Sequence, residues 1–348
     1  MTRTRPHSAL KIQICAAALL LALSFPGFAL DTGRDDVNAF VNELVDEYQF
    51  DRTWLESTLG DGETKQKILE AMSRPAEKTL AWHEYRKIFV TPKRIDAGVK
   101  FWKEHGDRLA RISAETGVPP EIMAAIVGVE TYYGRLTGGY RVLDALATLG
   151  FDYPPRAKFF RGELKEFFLL TRDEQLELKD VMGSYAGAMG PPQFIPSSYR
   201  AYAVDGDGDG RRDLLGNWDD ILASVANYFV EHGWRAGEPV AVPGKVDDPQ
   251  GFPPVGKNKL KLNETVESLA AKGVRFDTDL NSSAPTQLIG FDGDDGDEYW
   301  VGFKNFYVIT RYNRSAMYAM AVYQLSAELA KATGNAAVAA SAADVSAP

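Results

Sequence analysis

The sequence predicts a mainly α-helical protein, α+β in class, with a small β-containing insertion late in the chain. Three observations point there. Apolar residues recur with a helical period through most of the chain up to about His232. That period is lost between Gly237 and Asn305, where proline and glycine are frequent and Tyr299 to Thr310 alternates like a strand. Helical patterning then returns from Asn313 to Ala332, with Met317, Met320, Ala321, Gln324 and Leu325 along one side.

Taken in order, residues 1–29 read as a secretory signal. Arg3, Arg5 and Lys11 precede the apolar run Ile12 to Leu23, and Gly27-Phe28-Ala29 offers small residues where a signal peptidase reads. The run is short for a membrane span, and no other stretch is long and apolar enough to be one. The only cysteine, Cys15, lies inside the run behind Ile14, so a lipid anchor is not expected. Val37, Phe40, Val41, Leu44, Val45 and Tyr48 mark an amphipathic helix, followed by short helical pieces at Arg52 to Leu59 and Thr64 to Met72. Thr91-Pro92 opens a longer helical stretch to about Ala114, with a break expected near Gly106. Helices are also read at Val142 to Leu149, Arg156 to Leu170, Pro196 to Val204 and Asp219 to His232. The domain reading is therefore a helical body over 30–236, a β-containing insertion over 237–305 with a helical run at Glu264 to Ala271, a helix over 306–333 that completes the body, and a weakly patterned tail over 334–348.

Composition narrows the function classes. At 348 residues, 45% hydrophobic and 25% charged, the chain can bury a large core. Export would leave a periplasmic protein with no thiol, disulfide or cysteine metal site. Its formal charge would move from −9 to −12, because the signal carries three positive residues and no negative ones. An acidic chain disfavours nucleic acid as a partner. The histidines His7, His83, His105 and His232 are scattered and no HExxH, GxSxG or phosphate-loop pattern occurs, so no organic cofactor is expected.

Three stretches carry chemistry. Val118 to Gly134 reads as one buried helix, in which Pro119 and Pro120 suit the first turn and Gly134 a stop. Met123, Ile126, Val127 and Glu130 share one face, so Glu130 continues an apolar stripe. Burial raises a carboxyl pKa, which suits a proton donor; a carboxylate bonded to a neighbouring Tyr or Arg fits the same spacing. Gly183 to Tyr199 is a loop of small residues and prolines in which Ser184, Gln193 and Tyr199 offer hydrogen-bonding groups; a tight structural crossover is the alternative. Asp205, Asp207 and Asp209, with Gly210 at the sixth place and the Arg211 carbonyl next, form the first half of an EF-hand calcium loop. Position twelve is Gly216, so closure needs a later carboxylate, Asp220 or Asp219. An acidic Gly-rich turn is the alternative. Asp292 to Glu298 lacks the calcium spacing and reads as a solvated hairpin turn.

Five stretches together resemble the lytic murein transglycosylase B family, glycoside hydrolase family 103. They are GVETYYG at 128–134, LDALATL at 143–149, AGAMG at 186–190 with QFIPSS at 193–198, SVANY at 224–228 and ITRYNRSAMY at 309–318. The resemblance implies a lysozyme-like helical core with additional N-terminal helices, acting on peptidoglycan glycan strands. It implies that Glu130 protonates the bond between N-acetylmuramic acid and N-acetylglucosamine, then takes the C6 hydroxyl proton so that a 1,6-anhydro ring closes. It puts Ser184, Gln193, Tyr228, Tyr312, Asn313 and Tyr318 around the acid, Tyr85 and Arg156 further along the groove, and Asp220 in the calcium site. It also allows cell-wall-remodelling proteins as partners. Pro191, Pro192 and Pro155 depart from the family pattern, which bears on loop shape and peptide-stem recognition. A hydrolytic muramidase with Asp144, Asp152 or Glu163 as a second carboxylate and a calcium-dependent glycan-binding module without catalysis are the competing readings.

Overall fold

The computed structural model describes residues 28–73 and 80–334. The signal and tail readings fall almost wholly outside these residues. Within them, Phe28–Ala29 (β1) pairs antiparallel with Glu63–Thr64 (β2).

Helices dominate, as expected. The N-terminal part holds α1 (Asp35–Tyr48), α2 (Arg52–Gly60), α3 (Gln66–Met72) and α4 (Trp82–Phe89). The body is built on α5 (Pro92–Thr116) and α6 (Pro120–Thr131). Thr91 caps α5 by accepting from the Arg94 N–H, and Gly117 ends it in the left-handed region at φ 71°. The break expected at Gly106 is absent. A glycine inside a helix costs only about 1 kcal/mol, and the buried Ala97, Phe101, Leu109 and Ile112 hold α5 together on both sides of it.

α6 is the buried helix read in the sequence, and burial runs all round it: every residue from Glu121 to Val129 is buried. It lies between α5 and the late helix α13 (Ala316–Thr333). That approach depends on Gly98. A Cβ there would sit 2.4 Å from both Leu329 and the Tyr133 hydroxyl.

A second helical layer follows: α7 (Val142–Asp152), α8 (Ala157–Asp173), α9 (Pro196–Tyr202) and α10 (Trp218–Glu231). A two-residue ladder joins β3 (Tyr140–Arg141) to β4 (Met182–Gly183) beside it. Buried Asp144 on α7 ties this ladder to β2, accepting from the Glu63 N–H at 3.0 Å and from Arg141 at 2.8 and 3.0 Å.

The insertion is an antiparallel five-stranded sheet of order β6-β8-β9-β5-β7: β5 (Ala241–Val246), β6 (Glu264–Thr265), β7 (Val274–Arg275), β8 (Pro285–Gly293) and β9 (Gly296–Gly302). It packs on α11 (Val266–Ala271) around Val242, Leu269, Val274, Leu288, Val301 and Phe303. The acidic hairpin turn between β8 and β9 is confirmed, and it touches α4 through Lys87 and Asp294. Two expectations need correction here. Alternation ends at Gly302, because residues 304–312 form a helix, α12 (Lys304–Tyr312), with Phe306, Val308 and Ile309 buried. The single helix read over 306–333 is broken at Asn313–Ser315, where extended backbone lets the Ser315 side chain cap α13 by accepting from the Tyr318 N–H.

Glu121 gives the fold a pH signature. It occupies the first turn of α6 with 0% exposure, and burial raises its carboxyl above the ordinary value of 4.5. An acid raised on folding contributes stability below its unfolded pKa and loses it as pH rises through the folded value. Glu121→Gln is therefore expected to raise the melting temperature at pH 7 and to leave it nearly unchanged at pH 4, read by thermal denaturation at both pH values.

Candidate functional site

The end of α6 is shaped to present one residue. The helix stops at Thr131, three residues before the glycine expected to stop it, because Tyr132 and Tyr133 both take left-handed backbone, φ 52° and 60°. For non-glycine residues this costs about 1–2 kcal/mol each, and the surroundings hold both in place. Tyr133 folds back onto Gly128, where a Cβ would lie 2.8 Å from its ring. The Tyr132 hydroxyl donates to the Lys93 carbonyl at 3.0 Å. Arg94 donates to the Gly128 carbonyl at 2.5 Å and lays its guanidinium over Phe89 and Tyr132, 5.2 and 4.9 Å from the ring centroids. Glu130 is thus set on a backbone gripped from three sides.

The facing wall is the loop of small residues. Ser184 Oγ accepts from the Ala186 and Ala188 N–H groups at 3.3 and 3.1 Å, which closes a tight turn. Gln193, at φ 52°, donates through Nε2 to the Thr137 and Gly190 carbonyls. The departing prolines fit this loop. They lack N–H groups but keep their carbonyls, and Pro191 accepts from Thr131 Oγ1 at 2.9 Å while Pro192 accepts from the Tyr312 hydroxyl at 2.6 Å. Tyr199, named with this loop, turns away from it into the core, where its hydroxyl donates to the Arg212 carbonyl.

Between these walls lies a cleft of about 470 Å³. Of the residues named in the sequence, Glu130, Ser184, Gln193, Tyr228, Tyr312 and Asn313 line it together. Tyr318, from the first turn of α13, donates its hydroxyl to Glu130 Oε1 at 2.5 Å. Burial, followed by the charge of Glu130, pushes the Tyr318 hydroxyl well above its ordinary value of 10.0, so it stays a donor. Burial likewise raises Tyr312 and takes Tyr228 up to about 12. Tyr228 stacks on His232 at 4.1 Å and donates to the Arg311 carbonyl at 2.7 Å. Arg311, Ser198 and Tyr185 also line the cleft. All three stand inside stretches already singled out, yet no spacing rule distinguished them from their neighbours.

Two residues lie elsewhere. Tyr85 is buried on α4 against Trp82 and Phe89, near enough to Tyr318 to bear on its ionisation. Arg156 rests on Phe159 and Phe160 in a neighbouring cleft lined also by Glu163 and Ser197. Among the residues lining the Glu130 cleft, Glu130 is the one carboxylate. The three possible second carboxylates are engaged elsewhere: Asp144 by Arg141, Asp152 by Arg34 at 2.6 Å, and Glu163 by the Ser197 hydroxyl at 2.7 Å.

The aspartate loop is a second candidate site. Carboxylate oxygens of Asp205, Asp207 and Asp209 lie within 4.8 Å of one another. None of them joins an ion pair among the described residues, and three anions so close fit a hard divalent cation. Asp219 is held by Arg108 and Arg111 at 2.6 and 2.9 Å. Asp220, 0% exposed, instead accepts from the Gly206 and Asp213 N–H groups, each at 2.7 Å. Burial raises its carboxyl, and the charges of Asp207 and Asp205 add to that rise, so it belongs to the loop's electrostatic cluster.

The family model for the transglycosylase SLT domain matches residues 32–327. The membrane-bound lytic murein transglycosylase B of Escherichia coli strain K12 is 44% identical over 304 residues, covering 84% of this chain and 82% of that protein. The soluble lytic transglycosylase SltB1 from Pseudomonas aeruginosa superposes with a TM-score of 0.81 at 52% identity, over 85% of this chain and 98% of its own. An Escherichia coli lytic transglycosylase solved in complex with calcium gives a TM-score of 0.81 at 42% identity, over 88% of this chain and 97% of its own. The chain belongs to the transglycosylase SLT domain family.

Proposed function

We propose that this protein is a peptidoglycan lytic transglycosylase acting in the periplasm, in which Glu130 serves as acid and then as base. The observation that carries the reading is the lone carboxylate in the cleft. A glycosidase that uses two carboxyl groups needs a partner about 5 to 9.5 Å from the first, and the residues that could have supplied one are engaged elsewhere.

In the first step the protonated Glu130 gives its proton to the glycosidic oxygen on the N-acetylglucosamine side of a muramic residue, and the C1–O bond breaks. The carboxylate so formed accepts the proton of the C6 hydroxyl on that muramic residue. Its oxygen bonds to C1 and closes the 1,6-anhydro ring, with no water consumed. Both states of Glu130 must be reachable, and the Tyr318 hydroxyl serves the second. A hydrogen bond donated to a carboxylate stabilises the charged form. Ser184, Gln193 and Asn313 offer groups for acetamido and hydroxyl oxygens, and the Tyr228 and Tyr312 rings flank the sugar. Arg156 meets a lactyl or peptide carboxylate in the adjoining cleft.

Asp205, Asp207, Asp209, the Arg211 carbonyl and Asp220 would hold a structural calcium ion. It would screen the clustered carboxylates and fix the entry to α10, taking no part in bond cleavage.

Three outcomes are expected. Purified sacculi digested by the mature protein should release muropeptides with 1,6-anhydromuramoyl ends by mass spectrometry, and Glu130→Gln should release none; anhydro ends at the normal rate from that variant would remove Glu130 from its role. Tyr318→Phe should lower kcat by about tenfold or more with KM little changed, since it removes a bond that serves the reacting carboxylate. Chelation with EDTA should lower the melting temperature of the wild type but not of Asp207→Ala; identical melting curves with and without chelator would exclude the calcium site.

A further inference from the structure

An exposed aromatic plate stands outside the catalytic cleft. Trp54 on α2 is 44% exposed, and the reaction above makes no use of it. Its ring lies parallel to Phe50, centroids 5.9 Å apart at 10°, and Phe168 meets it edge-on at 5.8 Å. Phe50 and Phe168 are themselves buried, and the Arg172 guanidinium sits 4.6 Å over the Phe50 ring. The indole is therefore packed on a buried aromatic cluster. Below it the backbone is fixed too, since the Trp54 N–H donates to the Asp51 side chain at 2.7 Å.

The plate borders a cleft of about 410 Å³ whose rim includes Gln49, Asp51, Arg172 and Lys179. This composition suits a saccharide: one face of a sugar ring presents C–H groups that pack on an aromatic surface, while its hydroxyl and acetamido groups meet polar side chains. Shared and adjacent residues lead from this cleft to the reaction site. Lys179 lines both the Trp54 cleft and a second cleft of about 560 Å³, which is bordered by Tyr140, Arg141 and Met182 of the β3–β4 ladder. In that ladder Tyr140 pairs with Gly183, and the next residue is Ser184 in the catalytic cleft. Lys179 and the step from Gly183 to Ser184 thus link the three clefts.

We infer that Trp54 is the platform of an accessory glycan-binding site, which takes an N-acetylated sugar of the same polymer that enters the catalytic cleft. The inference rests on the peptidoglycan reading above. An accessory site of this kind holds the insoluble polymer near the acid without touching the reacting bond.

The test uses the full mature chain with Glu130→Gln to prevent cleavage. Co-sedimentation is measured with intact sacculi and with glycan strands stripped of peptides by an amidase. Trp54→Ala should weaken binding to both polymers about five- to tenfold, and Trp54→Phe less than twofold. Trp54→Leu keeps the apolar packing but not the plate, so it should behave as the alanine variant even if the latter folds poorly. In the active chain, Trp54→Ala should slow digestion of dilute sacculi while leaving turnover of a short soluble muropeptide unchanged. Unaltered binding by both the alanine and leucine variants would overturn the site. Loss on intact sacculi alone, with stripped strands bound normally, would overturn the saccharide assignment and give the cleft to the peptide. Trp54-dependent binding by a chain that makes no anhydro ends would leave the site standing and remove the lytic reading instead.

Discussion

The hydrogen bond from the Tyr318 hydroxyl to Glu130 Oε1 joins residues 188 positions apart, and much of the body can be understood as the means of making it. Glu130 stands at the end of a helix buried on every side, so its position cannot drift without disturbing the core. Tyr318 stands in the first turn of the last described helix, which reaches α6 only because Gly98 lets α5 and α13 approach. A carboxyl group that must give up one proton and accept another needs fixed geometry in both states. The buried tyrosine provides a donor that does not itself titrate in the working range.

The strain after α6 serves the same end. Two successive tyrosines in left-handed backbone turn the chain sharply away from Glu130 and leave it at the edge of the cleft. Arg94 stabilises the turn from the α5 side, and the paired proline carbonyls receive Thr131 and Tyr312 from the other. The rings of Pro191 and Pro192 restrict this stretch of the loop, and the main-chain carbonyls it holds in place are the two acceptors. Each element that touches the cleft is tied to another that also touches it.

Much of this was legible in the sequence, for physical reasons that differ by element. Amphipathic stripes such as Val37 to Tyr48 located helices because they face water on one side. α6 has no water-facing side, so its prolines and its glycine mark it rather than a polar face, while α12 reads as a strand because Phe306 and Val308 stand two apart as strand residues do. The six-residue interval between Tyr312 and Tyr318 does not place them on one helical stripe, and the break at Asn313–Ser315 puts them on separate helices. Glu130 and the cleft residues on the loop were found through motifs. The binding of Tyr318 to the acid, and the engagement of Asp144, Asp152 and Glu163 elsewhere, are long-range facts with no local signal. Trp54 carries no local signal of its exposure, because a tryptophan in a short helix fits a core equally well.

The central claim is that one carboxyl group performs both proton transfers and that no water enters the reaction. Digesting sacculi in water enriched in oxygen-18 tests this most directly, with the new muramoyl ends analysed by mass spectrometry. The account predicts anhydromuramoyl ends carrying no heavy oxygen, because the ring-closing oxygen comes from C6 of the same sugar. One atom of oxygen-18 at each new reducing end would show that water attacks C1 and would contradict it.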